Sequence, residues 1–329
     1  MMENKKGILI IVFCLNLFSP LFAEGSVDYI DNDLLSTFAY SHNDKYIAVA
    51  EIGGTIKIYD SVTLDIINII QGHKNIVNQI EFSPDNMYMA SCSDDIIINE
   101  INTGKIIFHI TPQSYITTSI SYRFDGQRLV SGGSTGLISV WDTVNGIELM
   151  TLDGSPYEVI KTISYSPDGS RIMSAFENCL KIWDANKGIE LKTISEQNMW
   201  TLSATYSVDG TKIIVGYSNK LMPLETIIKI YDSNNYDILK SFTIGKGSFR
   251  NTFISSDNIH IIFDFNYISK IQGQTYNQII IMDSTSGNIM KIINHANGFS
   301  NVRFPFAINY GGNIVYTANG KDIAIESTK

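Results

Sequence analysis

Gly132-Gly133-Ser134-Thr135-Gly136 satisfies the Gly-x-Ser-x-Gly spacing that can present a nucleophilic serine on a sharp turn. That chemistry needs a strand before the serine and a helix after it. Here Leu137-Ile138-Ser139-Val140-Trp141 follows and reads as another strand, so the glycines belong to a hairpin turn. The histidines supply no base. His42 sits in a turn, His109 in a strand, and His260 and His295 have no visible acid partner. Asp28, Asp31 and Asp33 are spaced like the start of a calcium loop, but the Gly and the distal bidentate Glu of such a loop are missing. Asp94, Asp95 and Glu100 read as a turn and a strand end, and no Cys/His spacing suggests a metal. The sequence therefore offers no catalytic residue, no metal ligand and no cofactor site.

The elements that hold these residues are short strands. In residues 163–184, ISYSPDGSRIMSAFENCLKIWD, apolar positions alternate on either side of Ser166-Pro167-Asp168-Gly169 and again after Glu177-Asn178. Alternation with period two predicts half-buried strands, and Pro-Asp-Gly predicts a tight turn. The unit recurs. Ser83-Pro84-Asp85-Asn86, Arg123-Phe124-Asp125-Gly126, Ser207-Val208-Asp209-Gly210 and Ser255-Ser256-Asp257-Asn258 repeat the turn, with Ser41-His42-Asn43-Asp44 a weaker copy. The third strand ends at Tyr59-Asp60, Asn99-Glu100, Trp141-Asp142, Trp183-Asp184, Tyr231-Asp232 and Met282-Asp283, and the acids stand 40, 42, 42, 48 and 51 residues apart.

A period near 40–45 residues with a terminal Trp-Asp resembles the WD-repeat β-propeller family. The resemblance implies an all-β fold of four-stranded antiparallel blades. Seven first strands can be counted, near residues 37–40, 77–82, 118–122, 162–165, 203–206, 252–254 and 302–308, which predicts seven blades. The last lacks a fourth strand. The family closes its ring with an N-terminal strand, so Val27-Asp28-Tyr29-Ile30 is the expected donor. The resemblance also assigns Gly72-His73 a structural network in which the His bonds an Asp, then a Ser/Thr, then the Trp. Asp94 or Asp95 and Ser91 fill the middle places, while Asn99 stands where the Trp would be and leaves the network incomplete.

Before the first repeat, Lys5 and Lys6 precede an apolar run, residues 7–18, broken by Ser19-Pro20 and followed by Leu21-Phe22-Ala23. A basic start, a short apolar core and a small residue before a polar one predict a signal peptide over residues 1–23. The run is short for a membrane span, which needs about 20 residues. The expected product is a single domain, residues 24–329, periplasmic or extracellular. An uncleaved anchor over residues 7–22 is the alternative. Removing Glu3, Lys5 and Lys6 takes the net charge from −9 to −10, which leaves no electrostatic footprint for nucleic acid. Cys92 and Cys179 fall two blades apart, too distant to bridge.

What remains is binding. Trp200 lies between an outer strand and the next blade, and the second-to-third-strand hairpins lengthen afterwards, at residues 217–225 and 263–277. In the family's strand order these segments share one face. The expected partner anchors are Trp200, Tyr217, Met222, Phe265, Tyr267 and Tyr276, since aromatics on long loops commonly carry interfaces. The function read from the sequence is an exported, non-enzymatic, monomeric scaffold that binds a protein or peptide through one face. The alternatives are an envelope- or carbohydrate-binding module and, behind it, a propeller hydrolase.

Overall fold

A computed structural model of the chain describes residues 12–13, 35–221, 225–248, 251–268, 275–294, 306–308, 313–317 and 323–327. The repeat becomes a blade in which four consecutive strands pair antiparallel, each with the next. Blade one uses Leu35–Tyr40, Tyr46–Glu51, Ile56–Asp60 and Ile66–Ile70. Blade two begins at Gln79–Phe82, blade three at Thr117–Tyr122, blade four at Thr162–Tyr165, blade five at Met199–Tyr206 and blade six at Thr252–Ile254.

The expectation of seven four-stranded antiparallel blades is corrected: six are found among the described residues. Among the described residues the C-terminal stretch supplies three antiparallel strands, Phe306–Ile308, Asn313–Thr317 and Ile323–Ser327. Their edge neighbour is the two-residue strand Val12–Phe13, which runs parallel. No antiparallel N-terminal closing strand occurs among the described residues, and Val27-Asp28-Tyr29-Ile30 lies outside them. The count of seven rested on strand-like runs alone. Past Asp283 the chain has no copy of the Ser-x-Asp turn that opens four of the six blades.

Both repeated motifs have a local cause. In the first turn the Asp carboxylate caps the bend: Ser83 Oγ donates to Asp85 Oδ1 at 2.6 Å, and Met87 N–H donates to the same oxygen at 2.9 Å. The residue after the Asp is left-handed, at φ 58° for Asn86 and 67° for Gly169, which is why Asn or Gly fills that place. The acid that ends the third strand caps the next turn. Asp184 Oδ1 accepts from Asn186 N–H at 3.0 Å and Lys187 N–H at 2.9 Å, and these donors hold its carboxyl below the usual range.

The core lies between neighbouring blades. Val130, Ile138, Val140 and Leu152 of blade three pack with Ile163, Ile172, Phe176 and Trp183 of blade four. Ala307 joins Leu35, Phe38 and Val49 of blade one. Inner strands are also tied by side chains. Gln79 Oε1 of blade two accepts from Ile120 N–H of blade three at 3.1 Å, and Ser119 Oγ of blade three accepts from Ile163 N–H of blade four at 3.0 Å. The first strands of blades three and four have a free edge, and these bonds satisfy part of it.

Trp141 Nε1 donates to Ser131 Oγ at 2.8 Å and Trp183 Nε1 to Ser174 Oγ at 2.9 Å, all four residues being buried. Trp183→Phe keeps most of the packing and removes that donor from a fully buried hydroxyl. It is expected to destabilise by about 1–3 kcal/mol, read as a lower urea midpoint with an unchanged slope. An unchanged midpoint would assign the tryptophan's contribution to area alone.

Candidate functional site

The family network forms in blade two as the resemblance implied. His73 Nδ1 lies 2.6 Å from Asp95 Oδ1 and His73 Nε2 lies 2.7 Å from Ser91 Oγ. Burial pushes the His73 imidazole below its ordinary pKa, against the raising effect of Asp95. Asp95 also holds His109 Nε2 at 2.5 Å, and Asp94 takes Asn75 instead. Ser, His and Asp thus stand in the order of a hydrolytic triad, but Ser91 is fully buried and no substrate reaches its hydroxyl. Asn99, in the Trp place, donates to Gly104 O at 3.1 Å and leaves its own Oδ1 without a partner.

Blade five builds a substitute. Glu196, from the connector entering that blade, accepts from Tyr231 Oη at 2.9 Å, and Tyr231 meets Tyr217 Oη at 2.9 Å. Lys229 Nζ pairs with Glu196 at 2.7 Å and lies over the Tyr217 ring. Tyr217 is therefore a core residue, only 1 % exposed, and not a surface anchor. Phe265 is likewise buried, packed with Phe263, Ile280 and Met282 of the blade-six core. Both corrections have one cause. The long hairpins are extended strands, Lys212–Asn219 with Glu225–Asp232 and His260–Ile268 with Thr275–Asp283, so alternate residues turn inward.

Trp200 lies in the first strand of blade five, half-buried and paired with Ser218. Met222 falls outside the described residues, and Tyr267 and Tyr276 are described only as paired strand positions. The structure does not gather the six into one exposed cluster.

It exposes different residues on the same face. The connectors that enter blades three and four carry Tyr115, 85 % exposed, and Tyr157, 96 % exposed, with Ile116 and Val159 beside them. Both connectors lie against the hairpin tip 133–136 of blade three. Ser134 N–H donates to Ile116 O at 2.9 Å, Tyr157 N–H to Thr135 O at 3.3 Å and Ile160 N–H to Gly133 O at 3.1 Å. Two exposed tyrosines therefore flank one tip. The glycines permit this approach: a Cβ at Gly133 would stand 2.1 Å from Ile116 O, and one at Gly136 2.0 Å from Ser155 O.

Tyr157 has φ 69°, an uncommon value for a bulky side chain. Strained backbone of this sort is stored where surroundings enforce it, commonly at ligand-binding segments. The sequence held the signal in Ser155-Pro156-Tyr157, an aromatic in a Pro-containing connector. Among the described residues no group of His, Cys, Asp and Glu could hold a metal, and neither Cys92 nor Cys179 forms a disulfide.

The WD domain, G-beta repeat family matches residues 64–98, 104–142 and 146–184, the stretch that contains both tyrosines. The chain is 27 % identical over 174 residues to small ribosomal subunit protein RACK1 of Caenorhabditis elegans, covering 48 % of this chain and 51 % of that protein. It is 24 % identical over 160 residues to small ribosomal subunit protein RACK1y of Oryza sativa subsp. japonica, covering 45 % and 47 %. The chain spans about half the length of these curated relatives. Among solved structures, the β-propeller domain of Myceliophteria thermophila Cps50 (Swd1) superposes with a TM-score of 0.75 at 12 % identity, covering 91 % of this chain and 97 % of that one, a likeness of fold. Repeat chemistry, repeat match and fold agree: residues 64–184 carry repeats of the WD domain, G-beta repeat family, in a chain of β-propeller fold.

Proposed function

We propose that the protein is a non-enzymatic scaffold that docks a protein partner on the face carrying Tyr115 and Tyr157. The observation behind this reading is the pair of exposed tyrosines set on either side of a rigid hairpin tip, one of them on strained backbone. Aromatic side chains presented by loops on a stiff scaffold are the usual anchors of interfaces. The relatives carry names that place them in a ribosomal subunit, which supports repeats of this kind seating on other macromolecules. The acidic balance of the chain argues against a phosphate backbone as the direct partner here.

Affinity capture with the wild-type chain and with a Tyr115→Ser/Tyr157→Gly variant tests the reading. A protein retained by the first, lost by the second and rebinding from purified components supports it. Equal capture by both overturns it, provided both melt alike. Equal melting is expected, because the two side chains are exposed and glycine relieves the left-handed backbone at position 157.

We further propose that the protein is exported, with cleavage after Ala23. The basic start, the short apolar run and the Ser19-Pro20 break support this. No helix among the described residues is long and apolar enough to cross a membrane. N-terminal sequencing of the exported protein is expected to begin at Glu24. A start at Met1 in the membrane fraction would replace export of a cleaved chain with an anchor.

A further inference from the structure

The chemistry around the two tyrosines narrows the partner. On the face spanned by blades two to five, the connectors and hairpin tips carry Asp94, Asp95, Asp153, Glu158 and Glu177 against Lys74, Lys161 and Lys220. One of these three cations is already engaged. Lys220 Nζ donates to Asn178 Oδ1 at 2.7 Å, and Asn178 Nδ2 in turn donates to Glu158 Oε1 at 3.2 Å. Glu158, next to Tyr157, is half-buried, with its second carboxylate oxygen turned inward and unpartnered. Glu177, at the neighbouring tip of blade four, is exposed. Carboxylates thus outnumber ammonium groups where the exposed rings stand.

A second observation is independent of charge counting. Elsewhere four rings lie under the chain's own cations: Lys45 over Tyr46, Arg171 over Tyr236, Lys181 over Trp183 and Lys229 over Tyr217. Among the described residues no such cation lies over Tyr115 or Tyr157, although both rings are open to solvent. An aromatic face with carboxylates at its edge attracts an ammonium or guanidinium group through the ring quadrupole and the neighbouring charge together. Ile116 and Val159 add apolar contact on either side.

Resting on the docking reading above, we infer that the occupant of this surface is a basic peptide segment of a partner protein, with Lys or Arg side chains over Tyr115 and Tyr157 and apolar residues between them. Glu158 and Glu177 then supply the complementary charge beside the rings.

Panning a random displayed peptide library on the wild-type chain, with depletion on the Tyr115→Ser/Tyr157→Gly variant, separates the two ideas. The expected result is enrichment of peptides with Lys or Arg at fixed spacing between apolar residues. A synthetic peptide of the enriched sequence should bind at least tenfold more weakly to the tyrosine variant. With Glu158→Gln/Glu177→Gln, which leaves both rings in place, its affinity should fall several-fold and lose most of its salt dependence. Enriched peptides that need the tyrosines but carry no basic excess would overturn the inference and leave the docking reading standing. Peptides that bind both forms equally, or no enrichment at all, would overturn both.

Discussion

Replacing Glu81 with glutamine is expected to flatten the pH dependence of stability between pH 5 and pH 9. Glu81 stands in the first strand of blade two, where its Oε1 accepts from Tyr122 N–H of blade three at 3.1 Å. The residue as a whole is partly exposed, but its Oε2 is out of reach of water and has no partner. Burial pushes its carboxyl from 4.5 up to about 8, against the opposing pull of the Tyr122 N–H and the Ser121 hydroxyl. In the folded state the acid is neutral through pH 7, whereas the unfolded chain ionises it near 4.5. Between those values the native state binds the proton that the unfolded state has released, so stability falls as pH rises. The loss is complete above the folded pKa and amounts to roughly 3 kcal/mol, since each unit of difference is worth about 1.4 kcal/mol and relaxation trims the whole. Glu81→Gln keeps the acceptor for Tyr122 and has no proton to lose. Urea midpoints for both proteins across this range decide the matter. Parallel profiles would mean that water reaches the carboxylate and that the latch between blades two and three is an ordinary solvated bond.

The repeats were legible because each motif has a short-range cause. Asp168, Asp209 and Asp257 cap turns whose next residue must be left-handed, and Asp142, Asp184 and Asp232 cap the turns after the third strand. Such causes act within six residues, so spacing alone exposes them. Blade number was less legible, since strand-like runs after Asp283 do not by themselves make a fourth antiparallel strand. The His73 network was readable from its family pattern, but its counterpart in blade five was not. Glu196, Lys229, Tyr231 and Tyr217 come together from separate strands and a connector, and no local spacing announces them. The same limit explains the misplaced anchors. Length suggested that residues 217–225 and 263–277 were loops, when strand pairing carried Tyr217 and Phe265 into the core. Tyr115 and Tyr157 sit in short connectors, and only the fold shows that both lean on one hairpin tip.

That tip gives the second large effect. Gly136→Ala is expected to destabilise the protein and to weaken partner binding at once. Gly136 has φ 78°, where a residue with a Cβ costs about 1–2 kcal/mol, and its new Cβ would meet Ser155 O at 2.0 Å and Glu158 O at 2.9 Å. Both neighbours are backbone, so no side-chain rotation relieves the overlap. Ser155 and Glu158 are also the two ends of the turn that holds Tyr157, through the 3.1 Å bond from Glu158 N–H to Ser155 O. Pushing that turn outward moves the tyrosine away from Thr135 and from its place opposite Tyr115. The summed cost is about 3 kcal/mol, of the size seen when a packed backbone is forced to shift. Gly53→Ala in blade one is the comparison, because a Cβ there meets nothing within 4 Å and its backbone is not left-handed. It should leave both melting and capture unchanged. If Gly136→Ala melts early yet holds its partner at temperatures where it is still folded, the tip supports the blade only, and the tyrosines beside it do not form the docking surface.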